Sequence, residues 1–537
     1  MTAHDHTYDI VFRNARLIDG TGSPWVDGDL AISDGRIAAV GTVEGSGAVE
    51  LSVAGQALAP GFIDIHTHSD FTLPANRDAQ SKIRQGLTTE IVGNCGTSAA
   101  PRYGEGADDV DEGFAYRGVG EVVDTSRWES MADYLSYIED EDGGVSLNVG
   151  SLIGHENARI PVLGYEDREP TADELEEMQA IVDEALADGA VGLSTGLIYT
   201  PGAFAETDEI VALASVVADH DKLYTTHMRS EGDDLFEALE EAIEIGERAG
   251  VAVQISHHKA VGRDNWGKVK YTLERMQRAR EQDGLDIQCE QYPYPASSTS
   301  LSARLPPWAR EGGTEATLER LRDPDTRARI RAALDASSSW PDILITKVRT
   351  DDPEVSEMEG QTVAELADRP DEDRDPVDIA IDLLLADRCR TKHIHFCMDE
   401  ADVEYVMAHE LTMVGSDGNS LAPTGPLGEG VPHPRSYGTF PRVLGHYVRD
   451  RGVLSLERAV HKMTGQPAAR LGLDDRGVLK AGACADVVVF DPDTVAQGGS
   501  FLEPAVYPEG IPHVLVNGEF VVRDGEHTGA RPGVAIR

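Results

Sequence analysis

Short apolar runs recur along the middle of the chain, at 62–68, 88–94, 145–150, 190–195, 223–227, 251–257, 285–290 and 412–417. We read them as the strand candidates of a parallel α/β domain. Stretches with helical spacing lie between them, for example Thr171–Leu186 and Asp233–Ala249, and Thr171-Ala172-Asp173-Glu174 opens the first like a capping box. Eight strands alternating with helices predict an α/β fold, a (β/α)8 TIM-type barrel. His393-Ile394-His395-Phe396 is a ninth strand candidate. We assign it to an insertion running from about residue 296 to 396, too long for an ordinary connection between strand and helix. Glu315–Ala333 and Pro376–Ala386 are predicted helices within it. The insertion follows a barrel strand, so it is placed to cover the mouth of the barrel as a lid. A Gly-, Asp- and Glu-rich stretch at 101–130 predicts a second long, acidic loop.

The two ends of the chain carry a different pattern. Tyr8–Gly20 is a strand ending in a turn, and Asp27–Gly41 is a hairpin with an Asp-Gly turn. Gly482–Asp491 is a buried-strand run, and Val514–Val522 is a hairpin around Asn517-Gly518. These ends predict one small β-sandwich domain built from 1–60 plus 473–537, beside a barrel domain of 61–472.

The charge narrows the choice of partners. Asp+Glu number 95 against Lys+Arg 47, a net charge of -48. Such a surface repels nucleic acid and anionic membranes. The acid is spread along the whole chain and the basic residues are mostly arginine, while 40% of residues are hydrophobic, enough for a core. This combination predicts adaptation to molar salt, where the Debye length falls to about 3 Å and self-repulsion is screened. No apolar stretch is long enough to span a bilayer, and the first residues show no secretion signal. The five cysteines (Cys95, Cys289, Cys389, Cys397, Cys484) form no paired framework. Cytoplasmic residence is therefore expected.

Metal-capable residues cluster at the ends of the apolar runs. His66 and His68 close the first run, two apart, so both project from one face of a strand. Cys95, His227, His257 and Asp417 follow four later runs. In a barrel the C-terminal strand ends converge on one mouth, which would bring all six together. Each alone has an ordinary explanation: a buried thiol, a structural histidine beside His258, a turn aspartate. Imidazole, thiolate and carboxylate are all zinc ligands, and three protein ligands with an open position make the catalytic kind of site. A carboxylate beside it can take a proton from water and give it to a leaving nitrogen.

Longer motifs surround these residues. They are Pro60–His68, Val92-Gly93-Asn94-Cys95-Gly96, Leu193–Leu197, Thr226-His227-Met228-Arg229 and Ile255-Ser256-His257-His258-Lys259, then Tyr292-Pro293-Tyr294, Gly415-Ser416-Asp417-Gly418, His433–Arg442 and Met463–Ala468. Together they resemble the amidohydrolase superfamily, and locally its D-aminoacylase (N-acyl-D-amino-acid deacylase) branch. Many superfamily members bridge two metals with a carboxylated lysine; the branch is similar to this chain in placing a cysteine there, here Cys95. The resemblance implies that Cys95, His227 and His257 hold one tight Zn2+. His66 and His68 then belong to a weaker second site, filled or empty, and Asp417 is the general acid/base. It places Arg435, Lys259, Tyr292, Ser298 and Tyr199 near the substrate, with Arg435 the natural partner of a substrate carboxylate. The 101–130 stretch and the sequence after Ser298 depart from the family pattern. The implied reaction is zinc-dependent hydrolysis of the amide bond of a small-molecule N-acyl-D-amino acid, giving a carboxylate and a D-amino acid. The alternatives are a cyclic-amide hydrolase of hydantoinase or dihydropyrimidinase type, and a non-catalytic scaffold.

Overall fold

A computed structural model describes residues 7–104, 106–139, 143–335, 340–350, 352–369 and 374–537. It has a mixed α/β fold. The eight strands of the middle all form: β1 (Phe62–Asp64), β2 (Leu87–Val92), β3 (Asn148–Ser151, continued by Ile153–Gly154), β4 (Gly192–Gly196), β5 (Leu223–His227), β6 (Ala252–Ile255), β7 (Ile287–Gln291) and β8 (Thr412–Val414). Each pairs in parallel with the next, from Asp64 opposite Glu90 in β1·β2 to Gln291 opposite Val414 in β7·β8. Every residue of β2, β4 and β5 is buried, the polar Thr89, Glu90, Ser194, Thr195, Thr225 and Thr226 included, as expected of parallel strands covered on both faces. Beyond β8 the chain turns back onto the exit of β1: Thr67 bridges Gly418 in parallel, and the Asp417 amide donates to His66 O at 2.8 Å. The strand at the very C-terminus, Ala535–Ile536, leaves the terminal sheet and pairs in parallel with β3.

Helices separate the strands. Ala172–Ala187 begins with the expected capping box, Thr171 and Glu174 each bonding the other's amide. Leu235–Ala249 buries Leu235, Ala238, Leu239, Ala242, Ile243 and Gly246 along one stripe and stops at Gly250, whose φ of 69° suits a residue without a Cβ.

The N- and C-terminal strands share one sheet. Its order is Glu526–His527, Glu519–Arg523, His513–Val516, Val487–Phe490, Ala57–Pro60, Tyr8–Leu17, Val26–Ser33 and Arg36–Gly41, with Gly47–Ser52 also on Tyr8–Leu17. Both foreseen hairpin turns have positive φ at their two central residues: 51° and 72° at Asp34-Gly35, 49° and 85° at Asn517-Gly518. Phe12, Leu30, Ile32, Leu58, Val487 and Leu515 form one core between the arms of this sheet.

Residues 297–395 hold a separate antiparallel sheet, with Lys392–His395 between Ser297–Ser300 and Ile343–Lys347. It has its own core of Leu301, Leu321, Ile330, Ile345 and Ile381. The ninth strand candidate therefore pairs within this sheet and with none of the eight parallel strands among the described residues. Two expectations are corrected. Glu315–Ala333 is not one helix but two, Gly313–Arg322 and Pro324–Asp335. The break is at Asp323, held extended at ψ 121° because the following proline disfavours the helical region there. Residues 101–130 are not simply a loop. Gly106–Tyr116 is helical and buries Val110 and Phe114, an apolar pair four apart that the surrounding acids disguised in the sequence. Among the described residues no helix is long and apolar enough to cross a membrane.

Candidate metal centre

All six predicted ligand and acid/base residues gather at the exits of the parallel strands, by irregular backbone more than by strand ends. His227 is the last residue of β5. The others lie beyond their strands: β1 ends at Asp64, so His66 and His68 are not successive same-face residues of a strand. The bridge of Thr67 to Gly418 holds them instead, with their ring centroids 5.5 Å apart. Cys95, His257 and Asp417 have φ of 57°, 36° and 51°. Positive φ in residues with a Cβ is sparsely populated and costs of order 1–3 kcal/mol, and such strain tends to collect where side chains must be aimed.

Cys95 Sγ is the hub. It lies 3.4 Å from His66 Nε2, 3.6 Å from His227 Nδ1 and 3.5 Å from His257 Nε2. Three overlapping sets have donor atoms within 4.8 Å of one another: His66, His68 and Cys95; Cys95, His227 and His257; His66, His257 and Asp417. Sulfur and nitrogen ligands at ~2.3 and ~2.0 Å from one tetrahedral zinc lie about 3.5 Å apart. The three distances around Cys95 fit that ion.

Two glutamates absent from the sequence-based set hold these rings. Glu290 Oε1 lies 2.7 Å from His66 Nδ1 and accepts the His257 amide at 3.0 Å, while Gln254 donates to its other oxygen. Glu231 lies 2.9 Å from His257 Nδ1 and is ion-paired to Lys259. A carboxylate behind a ligating imidazole sets its tautomer and orientation. Both had a signal in the sequence. Glu290 is the carboxylate that closes the 285–290 strand candidate, and Glu231 follows His227 by four residues.

The electrostatics suit the same role. Burial, opposed by Asp417, pushes His68 down to about 4; burial outweighing Glu231 does the same to His227. Burial, then the charge of Lys259, takes His257 well below its ordinary value. These imidazoles are neutral at pH 7, the form that binds metal. Burial, reinforced by Asp417 and Glu231, raises the Cys95 thiol; a divalent cation among the donors reverses such a penalty. Burial also works to raise Asp417, but Arg435 and His68 outweigh it and hold the carboxyl well below the usual range.

A cavity of about 680 Å³ opens over the centre, lined by His68, Cys95, His227, His257 and Asp417 but not by His66. All five predicted substrate residues line it. Arg435 Nη1 donates to Asp417 Oδ2 at 2.8 Å, Nη2 donates to Ser298 O at 3.1 Å, and the guanidinium stands 4.8 Å over the Tyr292 ring. The buried Tyr292 hydroxyl has no hydrogen-bond partner among the described residues. Tyr199 packs edge-on to His227 at 5.0 Å and its hydroxyl meets Thr299 at 3.1 Å. His258 turns away to Thr272, 2.8 Å, and is the structural member of the His257-His258 pair.

A family model described as "Amidohydrolase family" matches residues 52–522. The chain belongs to the amidohydrolase family. Within it, the chain falls in the D-aminoacylase branch. It is 37% identical to a D-aminoacylase of Alcaligenes xylosoxydans xylosoxydans over 98% of this chain and 97% of that one. It is also 37% identical to an N-acyl-D-aspartate deacylase of the same organism, over 98% and 95%. Among solved structures it is similar to an N-acyl-D-glutamate deacylase of Bordetella bronchiseptica, complexed with zinc and a phosphonate inhibitor that mimics the tetrahedral intermediate. That match has a TM-score of 0.82 and 37% identity, covering 99% of each chain.

Proposed function

We propose that this protein is a zinc-dependent hydrolase that cleaves the amide bond of N-acyl-D-amino acids, releasing a carboxylate and a D-amino acid. The observation that carries this reading is the Cys95–His227–His257 trio with Asp417 within reach of the same pocket, in a chain so similar to D-amino-acid deacylases. The eight parallel strands form a closed (β/α)8 barrel from about 61 to 472, the terminal strands (1–60 and 473–537) a small β-sandwich domain, and the insertion at about 296–396 a lid. The run of pairings from β1 to β8, and the Thr67–Gly418 bridge, support closure. The acid surplus marks a salt-adapted cytoplasmic enzyme.

Cys95, His227 and His257 would hold the tight zinc, with His66 and His68 forming a weaker second site. When bound, zinc supplies Lewis acidity and lowers the pKa of a ligated water to about 7. The chain's own groups do the rest. Asp417, kept ionised by Arg435, accepts a proton from the attacking water at Oδ1, the oxygen 3.1 Å from His68 Nε2, and passes it to the departing nitrogen. Arg435, over Tyr292, receives the α-carboxylate of the substrate on its free edge, and Lys259, Ser298 and Tyr199 shape the pocket around it. Glu231 and Glu290 keep the imidazoles in the ligating tautomer.

Zinc analysis together with hydrolysis of matched N-acetyl-D- and N-acetyl-L-amino acids tests the reading. Bound zinc and turnover of the D series are expected. Turnover of cyclic amides but not of linear N-acyl-D-amino acids would replace it.

A further inference from the structure

The cavity wall opposite the metal centre carries charge in a different way. Lys392, the first residue of the insertion strand Lys392–His395, has no ion-pair partner among the described residues; its Nζ stands 4.5 Å from the Tyr116 ring. Arg117, next to Tyr116, has none either. It donates to Gly113 O at 3.0 Å, stacks 4.1 Å over the Phe71 ring, and its buried Nε has no hydrogen-bond partner among the described residues. Asp70 acts on Arg117 from a distance without forming an ion pair. Both cations line the main cavity and also a recess of about 90 Å³ beside it, and Ser298 and Arg435 belong to both spaces.

Five cations line the recess (Arg117, Lys347, Arg349, Lys392, Arg435) against one carboxylate, Glu429. Glu429 is engaged, 3.0 Å from Lys347 and 3.7 Å from Arg349; Lys347 also lies 3.8 Å from Glu359 and Arg435 is paired with Asp417, which leaves Arg117 and Lys392 as the two without an ion pair among the described residues. Burial, and then the repulsion of Arg117, Arg349, Arg435 and Lys347, pushes Lys392 well below its ordinary value. In a chain of net charge -48, gathering uncompensated cations in one half-buried recess is costly. It is expected where a ligand supplies the missing negative charge.

We propose that the Arg117–Lys392 recess receives a second carboxylate of the substrate, so that the enzyme prefers N-acyl-D-amino acids with acidic, aspartate- or glutamate-like side chains. This rests on the deacylase reading. The α-carboxylate of such a substrate falls to Arg435, and the recess shares that residue, so an acid on the side chain reaches it from the same bound pose. A neutral side chain leaves Arg117 and Lys392 desolvated and unpaired, and a site of this kind rejects the analogue that lacks the recognised group. The relatives that act on D-aspartyl and D-glutamyl substrates by name and the one named simply D-aminoacylase match this chain equally well, so overall similarity does not choose among them; the charge of the recess does.

The test compares kcat/KM for N-acetyl-D-glutamate and N-acetyl-D-aspartate with N-acetyl-D-glutamine, N-acetyl-D-asparagine and N-acetyl-D-leucine on the zinc-loaded enzyme. The acids should lead by about ten- to a hundredfold, the range of one charge-assisted hydrogen bond; the aspartate and glutamate arms give the preferred length. Lys392→Met should shrink the acid-to-amide ratio by a similar factor, and Lys392→Arg should restore it. Equal or better turnover of the glutamine or leucine compound overturns the proposal and leaves the deacylase reading standing. So does a ratio unchanged in Lys392→Met. If no N-acyl-D-amino acid is hydrolysed, the deacylase reading fails. The same acid and amide pair, measured by calorimetric binding, then decides the recess alone. Tighter binding of the acid that is lost in Lys392→Met supports a carboxylate site, and equal binding removes it.

Discussion

The two walls of the cavity treat charge in opposite ways. On the strand-exit wall the buried cations meet anions: Arg435 faces Asp417 and Lys259 faces Glu231. On the insertion wall Arg117 and Lys392 face rings and each other's neighbourhood, with no carboxylate in contact among the described residues. The first wall is complete without substrate, as a scaffold for ligands and a proton carrier must be. The second is incomplete, as a specificity surface can be. Folding satisfies the one, and a bound anion satisfies the other.

The comparison breaks most visibly at its hub. Cys95→Ala should lower zinc affinity by at least about a hundredfold and abolish turnover, measured by metal analysis after dialysis, whereas His66→Ala should lose much less zinc. Equal metal content in Cys95→Ala and wild type would remove Cys95 from the tight site. Next, Asp417→Asn should keep the zinc and the fold while kcat falls by about 10² or more. Near-normal turnover with normal zinc would show that another group carries the proton. Arg435→Lys should lower kcat/KM by about ten- to a hundredfold through both terms. The lost fork grips the α-carboxylate and also faces Asp417. A change in KM alone would confine Arg435 to binding.

Stability sharpens the contrast, because the two walls should respond with opposite signs. Lys259→Met strands Glu231 as a buried uncompensated charge and should destabilise the protein by roughly 3–5 kcal/mol. Lys392→Met removes a cation that has no ion-pair partner among the described residues and should stabilise the ligand-free protein by roughly 1–2 kcal/mol. The second effect has a pH signature. Lys392 is lowered well below its ordinary 10.5, so above its folded value the unfolded chain binds more protons and wild-type stability rises with pH. The advantage of Lys392→Met is full at low pH, shrinks as pH climbs and vanishes near 10.5. Denaturant titrations of the three proteins across pH would show it; destabilisation by both substitutions would erase the distinction between the walls. The smallest effect on the site itself is that of salt. Molar KCl should raise the melting temperature by screening the net -48. A protein equally stable in dilute buffer would contradict salt adaptation.

Much of this was legible in the chain because it is locally encoded. Burial on both faces makes a strand such as Val487–Phe490 continuously apolar. A turn that needs positive φ selects Asp34-Gly35 or Asn517-Gly518, and a helix start selects Thr171 and Glu174. The ligand residues announced themselves by following apolar runs. The helix Gly106–Tyr116 did not, since its buried pair Val110 and Phe114 is outnumbered by acids on the other faces. Proline at 324 was a legible stop that the helical composition on either side outweighed. Glu231 and Glu290 were visible as residues, but their partners were not.

The sequence by itself therefore determined most element types, the family motifs and the candidate metal donors, because these depend on residues within a few positions of one another. Only the tertiary structure decided which charges are paired. Arg117 and Lys392 lie far apart in the chain, on a helix end and an insertion strand, and nothing near either predicts the other. Their contact with one recess follows from how the segments after β2 and β7 fold over the strand exits. The strength of a charge depends on what stands within a few ångströms of it and how far water is excluded, and both are properties of packing.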